Sequence, residues 1–398
     1  RVIIEGNENF SYTRIIRLMK TRPAWLLNRG VFQDDVLRDD AERIRDFYKN
    51  EGFSDAVVET DVDETVKGIH VTVTIKEGQR YYVGRIKIEG NKEIALYEIK
   101  KALELSEGDV FSTRAMYEDS SRIKGVYVDK GYIFATIDPV SVFDLDTEKI
   151  HISYKIVENE IAYIERVNIR GNVKTKDKVI RRELKVYPGE IFDGERIRKS
   201  KEKLGNLGFF EEIIIDTEPG SKPDWVDLVI DVKEAKTGYA SFGGGYSSID
   251  EFIGFVELRQ RNFDYKNFST FTGGGQDLSL HASFGTLTDR YQLSFTNPWI
   301  FDTPIAFGFD GYKKGHKREE DVGYAYEEDI RGGVLRLSRE FGEHIKTGAA
   351  YRFERVEITD VIPEATQEFK DEEGANDLSS GELSFTFDTR DNVFVPSK

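Results

Sequence analysis

Residues 237–398 alternate apolar and polar side chains in short runs. The stretch LSLHASF, residues 278–284, has an apolar residue at every second position and serine or histidine between them. PIAFGFDGY (304–312) and GELSFTFDT (381–389) alternate in the same way. A period of two is typical of strands with one apolar and one polar face. We count about eight such strands, centred near residues 242, 256, 280, 293, 308, 334, 350 and 385.

The connections between these strands alternate between tight turns and long acidic segments such as KREEDVGYAYEED. Short and long connections in turn are typical of an outer-membrane β-barrel. A soluble β-sandwich also has alternating strands. Because the long polar connections fall on one side only, we favour antiparallel transmembrane β-barrel strands for residues 236–398.

Residues 1–235 instead repeat one pattern three times. A Gly-Asn pair follows an apolar strand at Gly6, Gly90 and Gly171. The second helix of each repeat has a candidate N-cap and a terminating glycine, in the pairs Gln33 and Gly52, Ser112 and Gly131, Asp193 and Gly208. Glycine suits both the turn and the helix end because it adopts positive φ without strain, and the asparagine should tolerate the position beside it. In the third repeat, Thr175 is expected to cap the short first helix.

Each repeat therefore reads β-α-α-β-β. This order predicts three α+β domains, at residues 1–80, 81–160 and 161–235, with one face of each sheet covered by the two helices.

Composition and motif content argue against several classes of function. The net charge of −16 argues against a general nucleic-acid binder, and the chain has no cysteine for thiol chemistry. It has no apolar run of the roughly 18 residues that a membrane helix needs. No metalloprotease, nucleophile-elbow or Walker motif occurs, so we predict no enzyme, cofactor or metal site. The glycine-rich stretches FGGGYSS and FTGGGQD precede no helix, and are expected to permit curvature and close backbone approach.

Together these features resemble the family of outer-membrane insertases and transporters that combine POTRA domains with a β-barrel. The likeness rests on the Gly-Asn turns, on LMKTRPAW with DAERIRDFYKNEGF, on VIRREL with GNLGFFEEI, and on FTNPWIFDTP and FDTRDNVFVPSK. It implies α+β tandem POTRA domains, similar to the third, fourth and fifth of the assembly factors, followed by about the first eight of sixteen barrel strands. The family's Val-Arg-Gly motif, which belongs to the second half of the barrel, is absent.

The resemblance implies a Gram-negative outer-membrane protein with its POTRA domains in the periplasm. It further implies the core subunit of the machinery that folds and inserts β-barrel proteins. The implied partners are assembly-machinery lipoproteins, unfolded outer-membrane protein clients and outer-membrane lipids, with no nucleic acid. Arg181, Arg182 and Glu183 match the family's partner-binding segment. They lie within residues 166–203, whose local net charge of +7 favours docking of an acidic partner or of anionic lipid headgroups. An ordinary solvated helix surface is the alternative interpretation.

The predicted mechanism uses strand edges. An edge strand with unpaired N–H and C=O groups can add a client segment by β-augmentation. The family resemblance implies that the client-binding edge is the strand after the second helix, near residues 55–61, 133–140 and 211–217. It includes Val57, Val58, Ile133, Ala135, Ile213, Ile214 and Ile215. The first barrel strand should form a weak seam, because glycine weakens strand pairing; its glycines are Gly238, Gly243, Gly244 and Gly245. The alternatives are a two-partner-secretion-type translocation pore and a structural periplasmic tether.

Overall fold

The computed structural model describes residues 1–22, 32–65, 68–144, 146–247, 251–318, 326–342 and 344–390. The Pro-Ala-Trp of LMKTRPAW and the last eight residues of FDTRDNVFVPSK lie outside this range. The chain forms two compact units. The first comprises Arg1–Ile164, Gly189–Gly194 and Lys222–Trp225, and the second comprises Glu165–Pro188, Glu195–Ser221 and Val226–Lys398.

The first two repeats lie in the first unit and have the predicted order. The first repeat consists of β1 (Val2–Glu5), α1 (Tyr12–Leu18), α2 (Asp34–Asn50), β2 (Val57–Thr65) and β3 (Gly68–Lys76). The second consists of β4 (Tyr82–Glu89), α3 (Leu96–Ala102), α4 (Thr113–Asp129), β5 (Thr136–Asp144) and β6 (Lys149–Val157). The sheet orders are β1-β3-β2 and β4-β6-β5. In each sheet the first strand, β1 or β4, runs parallel to the central strand. The second strand, β2 or β5, runs antiparallel to the central strand on its other side.

The helices cover one face of each sheet because their apolar residues recur at helical spacing. In α4, Met116, Ile123 and Tyr127 are at most 4% exposed. They pack in one core with the alternate residues Ile152 and Tyr154 of β6. The first repeat has the same arrangement between α2 and β3. The first and second repeats therefore each have a hydrophobic core of their own.

The glycine turn recurs because only glycine fits it. Gly6, Gly90 and Gly171 have φ of +78°, +93° and +83°. A Cβ at these positions would lie 2.0–2.1 Å from a carbonyl oxygen of the central strand. The turn therefore needs glycine for its φ and for the close approach of the central strand.

The asparagine after each glycine acts through its side chain rather than by tolerating an unusual backbone angle. In all three repeats its Nδ2 donates to the carbonyl three residues later, at 2.8–3.1 Å: Asn7 to Phe10, Asn91 to Ile94 and Asn172 to Thr175. A glutamate at the end of the third strand, or directly after it, then accepts hydrogen bonds from N–H groups of the same turn; these are Glu77, Glu158 and Glu234. The repeated glutamate was not anticipated from the sequence.

Helix ends follow the predicted positions with two differences. Gly52, Gly131 and Gly208 have positive φ at the ends of the second helices. Ser112 caps α4 by accepting the Ala115 N–H, whereas Gln33 makes no side-chain capping bond. Thr175 is not the cap of the third repeat's short helix, because that helix starts one residue later and its N-cap is Lys176. The Thr175 hydroxyl is used elsewhere, as described below.

The third repeat consists of β7 (Tyr163–Arg170), α5 (Asp177–Arg181), α6 (Gly194–Asn206), β8 (Phe210–Pro219) and β9 (Trp225–Glu234), with the sheet order β7-β9-β8. An eight-stranded antiparallel sheet follows, in sequence order. Its strands are β10 (Gly238–Ser247), β11 (Glu251–Phe263), β12 (Gln276–Gly285), β13 (Thr288–Asn297), β14 (Ile305–His316), β15 (Glu327–Phe341), β16 (Ile345–Thr359) and β17 (Gly374–Phe387).

These strands confirm the eight expected from the alternation. A five-residue helix, α7 (Gln367–Asp371), lies in the long β16–β17 connection, where no helix was expected. Within the described ranges, no helix is long and apolar enough to cross a membrane.

Candidate functional site

Two loops of the eight-stranded sheet pack against the turn and short helix of the third repeat. Asn262, at the end of β11, is 2% exposed and donates to the Thr175 hydroxyl at 2.8 Å. Its side-chain oxygen accepts the Gly275 N–H at 2.8 Å. The carbonyl of Gly273 accepts the Lys176 N–H at 3.0 Å. The buried side-chain amide of Asn262, on β11, thus links the third repeat to the β11–β12 loop.

The glycines of FTGGGQD make this close approach possible. Gly273 and Gly275 have φ of +106° and +71°. A Cβ at Gly273 would lie 2.1 Å from the Lys174 carbonyl oxygen, and one at Gly275 would lie 2.9 Å from Val179. The structure therefore confirms that this stretch permits close backbone approach, as its glycines predicted.

The second contact is built on Trp299, in the β13–β14 loop. Its indole Nε1 donates to the Glu183 carboxylate at 3.1 Å. The Arg182 guanidinium lies 5.4 Å from the centre of the Trp299 ring, within cation–π range. Burial lowers the pKa of Arg182, while the adjacent Glu183 carboxylate opposes that shift. Asp264, 2% exposed, pairs with Lys176 at the edge of the same contact.

The three predicted partner-binding residues therefore lie in different surroundings. The side chains of Arg182 and Glu183 are only 11% and 13% exposed and belong to the contact with Trp299. The Arg181 side chain is 45% exposed and pairs with Asp177 one turn earlier. Of the three, Arg181 is the one that a partner can reach without disturbing this contact. Partner binding remains a prediction for all three.

The predicted client edges lie on or beside edge strands. β2, β5 and β8 are edges of their three-stranded sheets. Val57 and Val58 lie on β2, Ile213–Ile215 on β8, and Ile133 and Ala135 precede β5. On β5 itself, Val140 and Val142 are 37% and 57% exposed. Val140 ends the stretch near residues 133–140 that was expected to form this edge, whereas Val142 lies just beyond it; the alternation in TIDPVSVFD was the available signal for Val142.

The predicted seam strand, β10, is an edge of the eight-stranded sheet among the described residues. Gly243, Gly244 and Gly245 pair with Phe255, Gly254 and Ile253 of β11. A Cβ at Gly243 would lie 2.7 Å from the Phe255 ring, whereas one at Gly245 would meet nothing within 4 Å. Gly243 therefore makes room for a ring, while Gly245 leaves open space. Neither glycine has positive φ.

No group of three or more His, Asp or Glu is placed to hold a metal ion in the part of the chain that the structure describes. Within the described ranges, the candidate site comprises the strand edges and the contact between the third repeat and the barrel sheet.

Comparisons with known proteins agree with this architecture. The POTRA family model, described as surface antigen variable number repeat, matches residues 1–78, 81–159 and 162–235. The Omp85 superfamily domain matches residues 270–398. The outer membrane protein assembly factor BamA of Nitratidesulfovibrio vulgaris is 30% identical over all of this chain and 50% of its own length. BamA of Neorickettsia risticii is 28% identical over 98% of this chain and 52% of its own length. The chain thus spans about half the length of these relatives.

Among solved structures, BamA from Haemophilus ducreyi lacking POTRA domains 1–3 has a TM-score of 0.62 at 21% identity. The match covers 79% of this chain and 61% of that chain, and it supports the fold. The family matches place the protein in the outer membrane with its POTRA domains in the periplasm. The POTRA model, which matches more than half of the chain, and the Omp85 superfamily domain that follows show that the chain belongs to the family of outer-membrane proteins that combine POTRA repeats with an Omp85 barrel domain.

Proposed function

We propose that this chain is part of an outer-membrane protein assembly factor, which folds and inserts client β-barrels. The position and composition of strand β10 are the main support for this proposal. Among the described residues β10 is an edge of the barrel sheet, and it contains three consecutive glycines that add no side-chain contacts. Each glycine in a strand costs roughly 0.5–1 kcal/mol relative to alanine. A strand built this way pairs weakly with a closing strand, and its free edge can pair with a client strand.

The POTRA edges supply an earlier step. β2, β5 and β8 each present an unpaired row of backbone groups among the described residues, with apolar side chains beside it. An extended client segment can add to such an edge through main-chain hydrogen bonds, without a required sequence. The client's own burial of apolar surface then drives insertion, so this mechanism needs no nucleotide.

The contact at Trp299 and Asn262 holds the third POTRA domain at the rim of the barrel sheet. Strand β9 ends at Glu234 and β10 begins at Gly238, so three residues separate the domain's sheet from the seam strand. A client bound to the edge of this domain's sheet is therefore held on the same compact unit as β10. We propose that the contact serves this transfer.

Accessory lipoproteins are proposed to bind beside Arg181. Reversing this exposed charge in Arg181→Glu should weaken co-purification of such a partner, and more salt should weaken the wild-type interaction because exposed charges are screened over about 8 Å. Arg182→Glu is not an equivalent test, since it also places a carboxylate against Trp299 and Glu183.

The test is reconstitution of the full-length protein in proteoliposomes with an unfolded client barrel. Faster client folding into the bilayer than in empty liposomes supports the proposal. If clients instead cross into the liposome lumen, the protein is a translocation pore of the two-partner-secretion type. If clients neither fold faster nor cross, both functions are refuted.

A further inference from the structure

The β11–β12 loop, residues 264–275, has two different sides. One side holds the third POTRA domain through Asp264 and Gly273, as described above. The other side exposes three aromatic side chains: Tyr265 at 50%, Phe268 at 80% and Phe271 at 46%. Three exposed rings in one short loop are unusual for a surface that faces only water.

These rings continue the outer face of the barrel sheet. Phe268 contacts Phe271 edge to face, and Phe271 stacks on Phe263, with ring centres 6.2 and 6.1 Å apart. Phe263 contacts Phe295, which contacts Phe309, at 6.3 and 5.5 Å. A row of five rings therefore runs from the loop tip onto three strands.

The register shows which face this is. Phe295 pairs with Phe309, and Phe309 pairs with Leu335, so all three lie on one face of the sheet. Leu293, two residues before Phe295, lies on the same face. This is the apolar face, whereas Asp310 and Ser294, on the other face, are polar. In an outer-membrane barrel the apolar face contacts lipid.

We propose that the β11–β12 loop inserts Phe268 and Phe271 into the periplasmic leaflet of the outer membrane, where they contact phospholipid. Aromatic rings favour the boundary between headgroups and acyl chains. The loop lies at the end of the sheet that carries the periplasmic third POTRA domain, which fixes the leaflet. Lys266, whose ammonium lies 5.5 Å from the Tyr265 ring centre, is placed to meet lipid phosphates.

The neighbouring loop supports the same placement. Phe301, in the β13–β14 loop with Trp299, is 89% exposed. Both loops that contact the third POTRA domain therefore also expose a phenylalanine. Because the β11–β12 loop holds both the domain and the lipid, it ties the position of the domain to the leaflet. This inference concerns the membrane contact and does not depend on whether the protein inserts clients.

Site-directed spin labelling tests the proposal directly, because the chain has no cysteine and each introduced cysteine is the only label site within it. Phe268→Cys carries the probe, and Tyr265→Cys is a second probe in the same loop. The control is Ser221→Cys, an exposed position in the β8–β9 turn of the third POTRA domain. Strand β9 has ten residues and separates this turn from β10 by roughly 30 Å.

The full-length variants are reconstituted in vesicles of phosphatidylethanolamine and phosphatidylglycerol, and heat-modifiability gels verify folding. We expect the label at position 268 to have a several-fold higher ratio of oxygen to nickel-complex collisions than the label at position 221. Equal ratios at the three positions would overturn the proposal. Protection of positions 265 and 268 from both reagents would also overturn it, because a protein surface would then cover the loop.

Discussion

The Gly-Asn turn of the second POTRA domain allows a quantitative test with three glycines of one domain. Gly90 has φ of +93°, and a Cβ there would lie 2.0 Å from the Ile156 carbonyl oxygen. Gly108 has φ of +95° with nothing within 4 Å of a Cβ. Gly125 is helical, and a Cβ there also meets nothing. Alanine at the three positions therefore separates backbone strain, steric overlap and helix propensity.

The expected changes follow from these distances. Gly108→Ala carries the cost of positive φ alone, about 1–2 kcal/mol. Gly90→Ala carries a similar cost and must also move the turn away from β6 by more than 1 Å. This movement weakens the bonds that Lys92 and Glu93 donate to Glu158. We therefore expect a total loss of at least about 4 kcal/mol, since one bond to a charged group contributes about 1.5–3 kcal/mol. Gly125→Ala should stabilise by about 0.5–1 kcal/mol.

The assay is hydrogen exchange by mass spectrometry on the periplasmic fragment, residues 1–235, read in peptides from β5 and β6. We expect this fragment to be monodisperse in buffer, with the circular dichroism of a mixed α/β protein. Each 1.4 kcal/mol lost speeds exchange through global opening about tenfold. Equal acceleration by Gly90→Ala and Gly108→Ala would refute the close approach as the reason why the turn recurs in the three repeats. An aggregated or disordered wild-type fragment would refute the domain assignment itself.

Four further outcomes are expected. Gly245→Thr, which adds a strand-favouring side chain in open space on β10, should reduce client assembly without impairing folding; Gly311→Thr, equally open but on the interior strand β14, should not. Glu158→Gln should destabilise the fragment at pH 7 by about 1.5–3 kcal/mol. Burial alone would raise the pKa of Glu158, but backbone N–H donors and the Tyr127 hydroxyl outweigh it and hold this pKa below normal. The ionised Glu158 therefore stabilises the fragment above about pH 4.3, and this stabilisation should be lost as pH falls through the folded-state pKa. Trp299→Phe retains an aromatic ring but removes the hydrogen bond from the indole to the Glu183 carboxylate, so a protease should release the third POTRA domain faster. Arg181→Glu should reduce partner recovery on a pull-down while leaving that protease pattern unchanged.

Local features of this fold were predictable because local sequence determines them. The turn at Gly90 and the helix end at Gly131 need positive φ, and a glycine in the sequence indicates such a position. The barrel strands were predictable for a similar reason, since the alternation of apolar and polar residues along a strand indicates a sheet with one apolar and one polar face. β2, β5 and β8 lie at the sheet edges that the family resemblance implied.

The domain contact was not predictable in this way. Asn262 and Thr175 are 87 residues apart, and neither sits in a pattern that names the other. Thr175 was expected to cap a helix because its position suits that role locally; the long-range partner takes its hydroxyl instead. Arg182 illustrates the same limit, because a basic helix predicts an exposed charge until Trp299 from a distant loop covers it.

Disulfide trapping tests most directly whether β10 opens to pair with a client strand. Ser241→Cys places a thiol on β10, and Ser279→Cys places one on β12, which is paired on both sides by β11 and β13. Single cysteines are then scanned along the last strand of a client that is being assembled by the full-length protein. We predict disulfides from position 241 at client positions of one register, and none from position 279. Normal client assembly without any cross-link from position 241 would contradict this pairing.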